Sequence, residues 1–339
     1  MTDIIIDDLQ DSTNQIDSIN PTKTNPTQIN LANLKLLSHS AIQLFRSCPR
    51  KFELDRLYGS LKKDENTIHT AYGSALGAGI QSLLETHSID QASLTAFRNW
   101  SIGLDEVNVK AYKSFPQVIN ALKIFHRDFL PEFQDWELAY ITVDSKGNPK
   151  PAAELSFSID LPLGYHYRGF LDAVLKHKKT GKYRVLEIKT TGSRFVDEAN
   201  YANSFQGVGY SVVLDRIATE GYSDYEVLYL VYKTFNQTYE TYPFLKLQSH
   251  RINWLTDLIL VVEQIELYKR TRRFSTNGDS CKAYGRLCRF FEECNYSNES
   301  IFRGADIVNV DTFDHSAFDF NFTYEELLMN QSNQLRKGV

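Results

Sequence analysis

Long apolar runs are missing from this 339-residue chain: the longest candidate, around Leu255 to Val262, falls far short of the ~20 residues that cross a bilayer. That excludes a helical membrane span. The opening MTDIIIDDLQ lacks a basic start and a long apolar core, so no secretory signal is expected there. A cytoplasmic location follows as the expectation. Cysteine is scarce, with four in the whole chain, and in that compartment they read as ligands or free thiols, not as a disulfide framework. An excess of basic charge is also missing, since the net charge is −5. The deficit is local, however: residues 1–30 carry −4 and residues 301–339 carry −3, which leaves +2 for the 270 residues between them. Charge by itself therefore neither demands nor excludes a polyanionic partner. There is no internal repeat. Hydrophobic residues at 42% and charged residues at 23% fit a globular protein with a sizeable core.

Residues 1–35 are rich in Asn, Thr, Asp and Gln and read as a disordered arm, with order beginning near Leu36. Ser38 or Ser40 can cap a first helix, and Pro49 suits the first turn of a second. Helical patterns recur over 70–86, 89–100 and 114–130, a helical insert spanning 70–130. The first of these contains Gly73, Gly77 and Gly79, which together cost about 3 kcal/mol of helix propensity and so point to close backbone approach. The period then changes to two: Glu137 to Val143, Ala152 to Leu161, Tyr165 to Leu175 and Lys182 to Thr190 alternate as strands. A helix over 196–217, strands near 225–232 and 238–244, and an amphipathic helix over 247–270 follow. The pattern predicts an α/β domain over 36–300 with a central mixed sheet flanked by helices. Residues 301–339 form an acidic, aromatic tail that could bind a partner, shield a groove or pack on the surface, and the alternation of Phe313, Phe318, Phe320 and Phe322 with polar residues favours packing.

The stretch GFLDAVLKHKKTGKYRVLEIKTT (169–191) reads as two strands joined by a basic turn, with Gly181 as its positive-φ residue. Alternation places Glu187 and Lys189 on the face of Val185, and Asp172 on the face of Phe170 and Val174. Charges at such positions require a metal ion, mutual pairing or solvent. Two carboxylates and a lysine at the ends of paired strands suit a Mg²⁺-dependent phosphodiesterase: the acids hold a hard cation and the lysine orients water. A solvated sheet edge is the plainer alternative. His166 and His177 read as turn or strand-surface residues.

Cys281, Cys288 and Cys294 are spaced C-x6-C-x5-C, and Cys48 lies 233 positions earlier. Three thiols in a polar segment plus one distant thiol can close a four-sulfur site, joining the first helix to the last ordered segment. Zinc sites favour tighter pairs, so the wide gaps favour an iron–sulfur cluster, with Zn²⁺ as the alternative.

Taken together these pieces resemble the RecB-like nucleases of the PD-(D/E)XK superfamily. They are most similar to the iron–sulfur branch that includes CRISPR-associated exonucleases, the AddB nuclease domain and phage exonucleases. LSHSAIQLFRSCPRKFEL (37–54) is similar to the opening helix with its cluster cysteine, and YGSALGAGIQSLLE (72–85) to the Gly-rich first motif. GFLDAV (169–174) and LEIKTT (186–191) resemble the paired metal-binding motifs, and SFQGVGYSVVL (204–214) the following helix.

The resemblance implies a restriction-endonuclease-like fold with a cysteine clasp formed by the N-terminal helical part and the C-terminal cysteine segment. It implies Mg²⁺ or Mn²⁺ held by Asp172, Glu187 and the Ile188 carbonyl with help from Glu154. Catalysis would rest on Asp172, Glu187 and Lys189, supported by Gln206 and Tyr210, and a 4Fe-4S cluster would sit on Cys48, Cys281, Cys288 and Cys294. Arg46, Arg50 and Lys51, read from the residues themselves, form a basic helix face that could touch DNA phosphates, a merely solvated face being the plainer alternative. The implied activity is hydrolysis of DNA, single-stranded or with free ends, in recombination, repair or phage DNA processing, in a bacterium or phage-infected host, with a helicase or recombination protein as a possible partner. One departure stands out. Gly77 occupies the position where many relatives carry a metal-site histidine. A non-catalytic nucleic-acid-binding subunit that keeps the fold and a zinc-stabilised structural protein remain alternatives.

Overall fold

The computed structural model describes residues 28–58, 67–102, 113–142, 149–218, 222–271, 273–283, 286–296, 306–308 and 313–337. Strands β1 (Gln28–Asn30) and β2 (Leu36–Leu37) lead into helices α1 (His39–Ser47), α2 (Pro49–Tyr58), α3 (Ile68–Thr86), α4 (Ile89–Arg98) and α5 (Phe115–Ile124). Strands β3 (Trp136–Leu138), β4 (Tyr140–Thr142), β5 (Pro149–Pro151), β6 (Ala153–Leu161), β7 (Tyr165–His177) and β8 (Tyr183–Thr191) follow. After them come α6 (Glu198–Ala202), α7 (Phe205–Ile217), β9 (Asp224–Lys233), β10 (Thr238–Leu247) and α8 (Gln248–Thr271). The chain then forms β11 (Lys282–Ala283), β12 (Arg286–Leu287), α9 (Phe291–Tyr296), β13 (Asp306–Val308), β14 (Phe320–Thr323) and α10 (Tyr324–Lys337).

A mixed sheet in the order β10-β9-β8-β7-β6-β14 forms the middle layer, with β2 and β3 also paired to β7. β8 and β9 are parallel, from Arg184↔Glu226 to Thr191↔Lys233, and α6 and α7 make the crossover between them. Strand β9 is an interior strand. Val227, Tyr229 and Val231 enter one core while Leu228, Leu230 and Tyr232 enter the other. The first core is closed by α1, α2, α7 and α8, the second by α3, α4 and α5. The helical insert is therefore one of the two layers that sandwich the sheet. Local signals set the helix starts: the Ser38 side chain accepts from Ala41 N at 3.2 Å, and Thr67 and Thr70 cap the α3 start reciprocally. No helix among the described residues is long and apolar enough to cross a membrane.

Several elements differ from the sequence pattern, each for a local reason. The expected strand over 137–143 is split, because Trp136–Leu138 pairs with β7 whereas Tyr140–Thr142 pairs with β5. The expected helix over 196–217 is two helices, because Asn203 ends α6 and Ser204, accepting from Gly207 N, starts α7. Described structure begins at Gln28, ahead of Leu36: β1 pairs in parallel with β13, and Leu34 is fully buried. The rest of the expected arm, residues 1–27, lies outside the described residues. The tail goes beyond surface packing. β14 extends the sheet in parallel beside β6, from Phe320↔Phe157 to Thr323↔Asp160. Behind it, Gln331 of α10 donates to Asp215 at 2.7 Å and accepts from the fully buried Arg251 at 2.9 Å. A buried network of this kind holds only when each member finds its partners, so α10 completes the polar set of α7 and α8.

Candidate active site

β7 and β8 pair from Lys176↔Tyr183 to Ala173↔Leu186 and pair no further. Just past that point Asp172 Oδ2 accepts from Ile188 N at 2.7 Å, so a side chain replaces the lost ladder bond and is locked in place by it. The turn at the other end of the hairpin has Gly181 at φ +72°, as the sequence predicts. Glu187 and Val185 share a face of β8, with Val185 in the α7–α8 core and Leu186 in the opposite one. On β6 and β7 the simple alternation breaks. Leu155 and Leu171 enter the α7–α8 core, whereas Ala153 and Ala173, two positions away, face the α3–α5 core. The strands rotate about Glu154 and Asp172, and Glu154 itself is left-handed at φ 49°, a conformation costing about 1–2 kcal/mol in a non-glycine residue.

This twist gathers three acids. Gln81 of α3 bridges two of them: its Nε2 donates to Glu154 Oε1 at 2.7 Å and to the Asp172 carbonyl at 2.9 Å. Glu187 is 1% exposed, and one of its carboxylate oxygens, Oε2, is buried with no hydrogen-bond partner. Its other oxygen lies 2.5 Å from Lys189 Nζ. Lys189 also donates to Gln206 Oε1 at 3.0 Å, and Gln206 Nε2 donates to the Tyr210 hydroxyl at 2.6 Å. Ser204 thus starts α7 where the next residues but one can hold the lysine.

Electrostatics follow from the crowding. Burial raises the Asp172 carboxyl well above the ordinary carboxylate range, and Glu187 and Glu154 push it further against the pull of Ile188 N–H and Lys189. Burial also raises Glu187, with Lys189 opposing and Glu154 adding to it. Burial alone would lower Lys189, but Glu187 and Asp172 outweigh it and hold the ammonium charged. Carboxylates that repel one another in a dry site, one with a bare oxygen, are a hard-oxygen donor set that suits Mg²⁺ or Mn²⁺.

Two residues of this neighbourhood were not among those the sequence singled out. Gln81 is a buried amide one helical turn beyond Gly77, and its signal was a polar residue inside the apolar run LGAGIQSLL. A Cβ at Gly77 would meet nothing within 4 Å, so the absent family side chain leaves open space there. His39 stacks on Phe205 at 6.4 Å, and burial, then Lys189 and Arg46, lower its pKa to about 4. Its neutral ring has no sequence signal beyond a place in LSHS.

The four cysteines line one cavity together with Arg50, and the segment carrying three of them docks on the end of α1. Asn277 Nδ2 and Ser280 Oγ both donate to the Ser47 carbonyl at 2.8 Å. Burial raises the Cys294 thiol, as do the thiols of Cys48, Cys281 and Cys288. The three basic residues do not share one solvent face. Arg46 sits over the Phe205 ring at 4.6 Å and 3.8 Å from Asp257, Arg50 is paired with buried Glu53, and Lys51 borders the cysteine cavity. His177 accepts from the amides of Lys179 and Thr180 in the β7–β8 turn, whereas His166 is buried.

A family model described as the PD-(D/E)XK nuclease superfamily matches residues 36–297. No curated protein matches the sequence. Among solved structures, one described as "Putative exonuclease" from Eubacterium rectale is 14% identical with a TM-score of 0.46, over 74% of this chain and 87% of that one. Another, SSO0001, is 12% identical with a TM-score of 0.31, over 69% of this chain and 76% of that one. The family match runs through α1 to the last cysteine and takes in the acids, the lysine and the α7 glutamine: this chain belongs to the PD-(D/E)XK nuclease superfamily.

Proposed function

We propose that this protein is a divalent-metal-dependent deoxyribonuclease that degrades DNA from its ends. The observation that carries the reading is the buried Glu187 carboxylate, with Oε2 bare and Oε1 on Lys189, beside Asp172 and Glu154. Asp172, Glu187 and the Ile188 carbonyl, with Glu154 adjacent, would hold Mg²⁺ or Mn²⁺. Such an ion supplies charge stabilisation for the phosphorane-like transition state and an acidified water. Lys189 is held by Glu187 and Gln206, and Gln206 by Tyr210, so the ammonium has a fixed direction from which to orient water or offset developing charge. Glu154 is held in turn by Gln81.

Action on single strands or free ends draws support from aromatic side chains near the C-terminal ends of β8 and β9. Phe195 is 86% exposed, and Phe235 carries the Arg194 guanidinium at 4.3 Å over its ring. Stacking on such faces suits unpaired bases, at about 1–3 kcal/mol each. The four cysteines around one cavity support an iron–sulfur cluster, with Zn²⁺ as the other occupant that four thiolates accept. A role in DNA recombination, repair or phage DNA processing, in the cytoplasm and beside a helicase or recombination protein, fits that activity.

The test is digestion of end-labelled linear and closed circular DNA in Mg²⁺ or Mn²⁺, with and without chelator. Asp172→Asn, Glu187→Gln and Lys189→Ala should each lose about a hundred- to a thousandfold in rate at near-wild-type fold. Degradation of linear DNA at the wild-type rate by any of the three overturns the assignment. Tight DNA binding by the wild type without hydrolysis in either metal would instead favour a binding subunit that keeps the fold.

A further inference from the structure

Asp160, His166 and His315 converge at the end of β7 remote from Asp172. Asp160 and His166 face one another in register across the β6–β7 hairpin, and His166 Nδ1 lies 2.8 Å from Asp160 Oδ1. His315 arrives from the tail, in the short 3-10 turn His315–Ala317 ahead of β14, with Nδ1 3.8 Å from the same oxygen. One ligating atom from each of the three lies within 4.8 Å of the other two.

The arrangement is braced. His166 is 8% exposed and lies flat against Phe313, with ring centroids 4.1 Å apart and planes 1° from parallel. His315 stands edge-on to both rings, at 5.4 Å from His166 and 4.9 Å from Phe313. The backbone of the turn is tied to β14, since Asn321 Nδ2 donates to the His315 carbonyl at 3.0 Å. Its start is capped by Asp314, which accepts from Ser316 N at 2.9 Å.

We propose that Asp160, His166 and His315 form a binding site for a zinc-class transition-metal ion that fastens the tail to the β6–β7 hairpin. Two neutral imidazoles and a carboxylate are a borderline-soft N/O set, which favours Zn²⁺ over the Mg²⁺ or Mn²⁺ suited to the all-oxygen acids of the active site. Bonds of about 2.0–2.1 Å in tetrahedral geometry place ligand atoms roughly 3.3–3.4 Å apart. The 2.8 Å pair must open by about half an ångström, which the partly exposed Asp160 carboxylate can do, and the 3.8 Å pair must close by as much, which the half-exposed His315 can do by side-chain motion. Its exposure, 46% of the side chain, leaves the fourth position to water. The ion would couple two parts of the chain about 150 residues apart and so hold β14 at the sheet edge.

The experiment uses the full chain freed of loosely held metal and then equilibrated with Zn²⁺ alone. Bound zinc is counted, and amide hydrogen exchange is followed across Phe320–Thr323 with and without Zn²⁺. The wild type should bind one more zinc per chain than His315→Ala. Zinc should slow β14 exchange at least about tenfold in the wild type and not in the variant. Asp160→Asn, which keeps the size of the side chain, serves as the second variant and should behave like His315→Ala. Equal zinc counts in the wild type and both variants, or β14 exchange that ignores Zn²⁺ in the wild type, overturns the site. Zinc bound only by the cysteines or by the active-site acids gives that equal count.

Discussion

Gln81 is the most informative single position, because one nitrogen holds two parts of the acidic site at 2.7 and 2.9 Å and the residue is only 7% exposed. Gln81→Leu keeps the volume and removes both donated bonds. Each stranded acceptor, one of them a carboxylate, costs about 1–3 kcal/mol, and burying the leucine returns about 1 kcal/mol. The net loss is about 1–5 kcal/mol, which at about 2.1 cal/mol/K per residue lowers the Tm of this 339-residue chain by roughly 1–7 °C. Gln81→Glu is the sharper change. It exchanges the donor for a fourth acid facing Glu154, so it should destabilise more than Gln81→Leu in chelator and recover more on adding Mn²⁺. An ion present at about 100 times its Kd contributes about 2.7 kcal/mol. Thermal melts in chelator and in Mn²⁺, paired with DNA digestion, read both effects. A Gln81→Leu variant melting within 1 °C of wild type, or a Gln81→Glu variant indifferent to Mn²⁺, would refute the reasoning that Gln81 bridges the acids.

Three further outcomes follow from particular contacts. His39 stays neutral in the fold down to about pH 4 while the unfolded chain protonates near 6.5, so its contribution is lost as pH falls through that window. The loss is about 2 kcal/mol after discounting for partial exposure, and denaturant melts should show that His39→Phe lacks this part of the acid limb. Gly79→Ala would set a Cβ 2.7 Å from both Leu122 methyls, whereas Gly77→Ala meets nothing. The first should therefore destabilise by about 1 kcal/mol and the second stabilise by a similar amount; equal melting of the two would contradict the packing. If the four cysteines hold a cubane, anaerobically purified wild type should be brown with about four irons per chain, and Cys48→Ser and Cys288→Ser should each lose that metal. Four thiols alkylated at the free-cysteine rate in native protein would sink that idea.

Much of this molecule is legible in sequence because its signals are local. The change of period near residue 136, the apolar strand of β9 and a capping serine at 38 or 40 each depend on neighbours a few positions away, and they predict the layered α/β class; the structure selects Ser38. The D-x14-E-x-K spacing of Asp172, Glu187 and Lys189 is also local to one hairpin, and Gln206 and Tyr210 share one turn of α7. What the sequence could not contain is where strands part and which distant side chain fills the gap. The pairing of β7 with β8 ends at Ala173, and only that divergence turns Asp172 into the partner of Ile188 N–H. Gln81 meets Glu154 across 73 positions, and His315 meets Asp160 across 155. The tail reads as acidic and aromatic, yet it supplies an edge strand because β6 presents an open parallel edge to it. Period and capping are short-range consequences of backbone geometry and are written residue by residue. Convergence of side chains from separate strands and helices depends on twist, register and loop closure summed over the whole chain, and only the folded structure decides it.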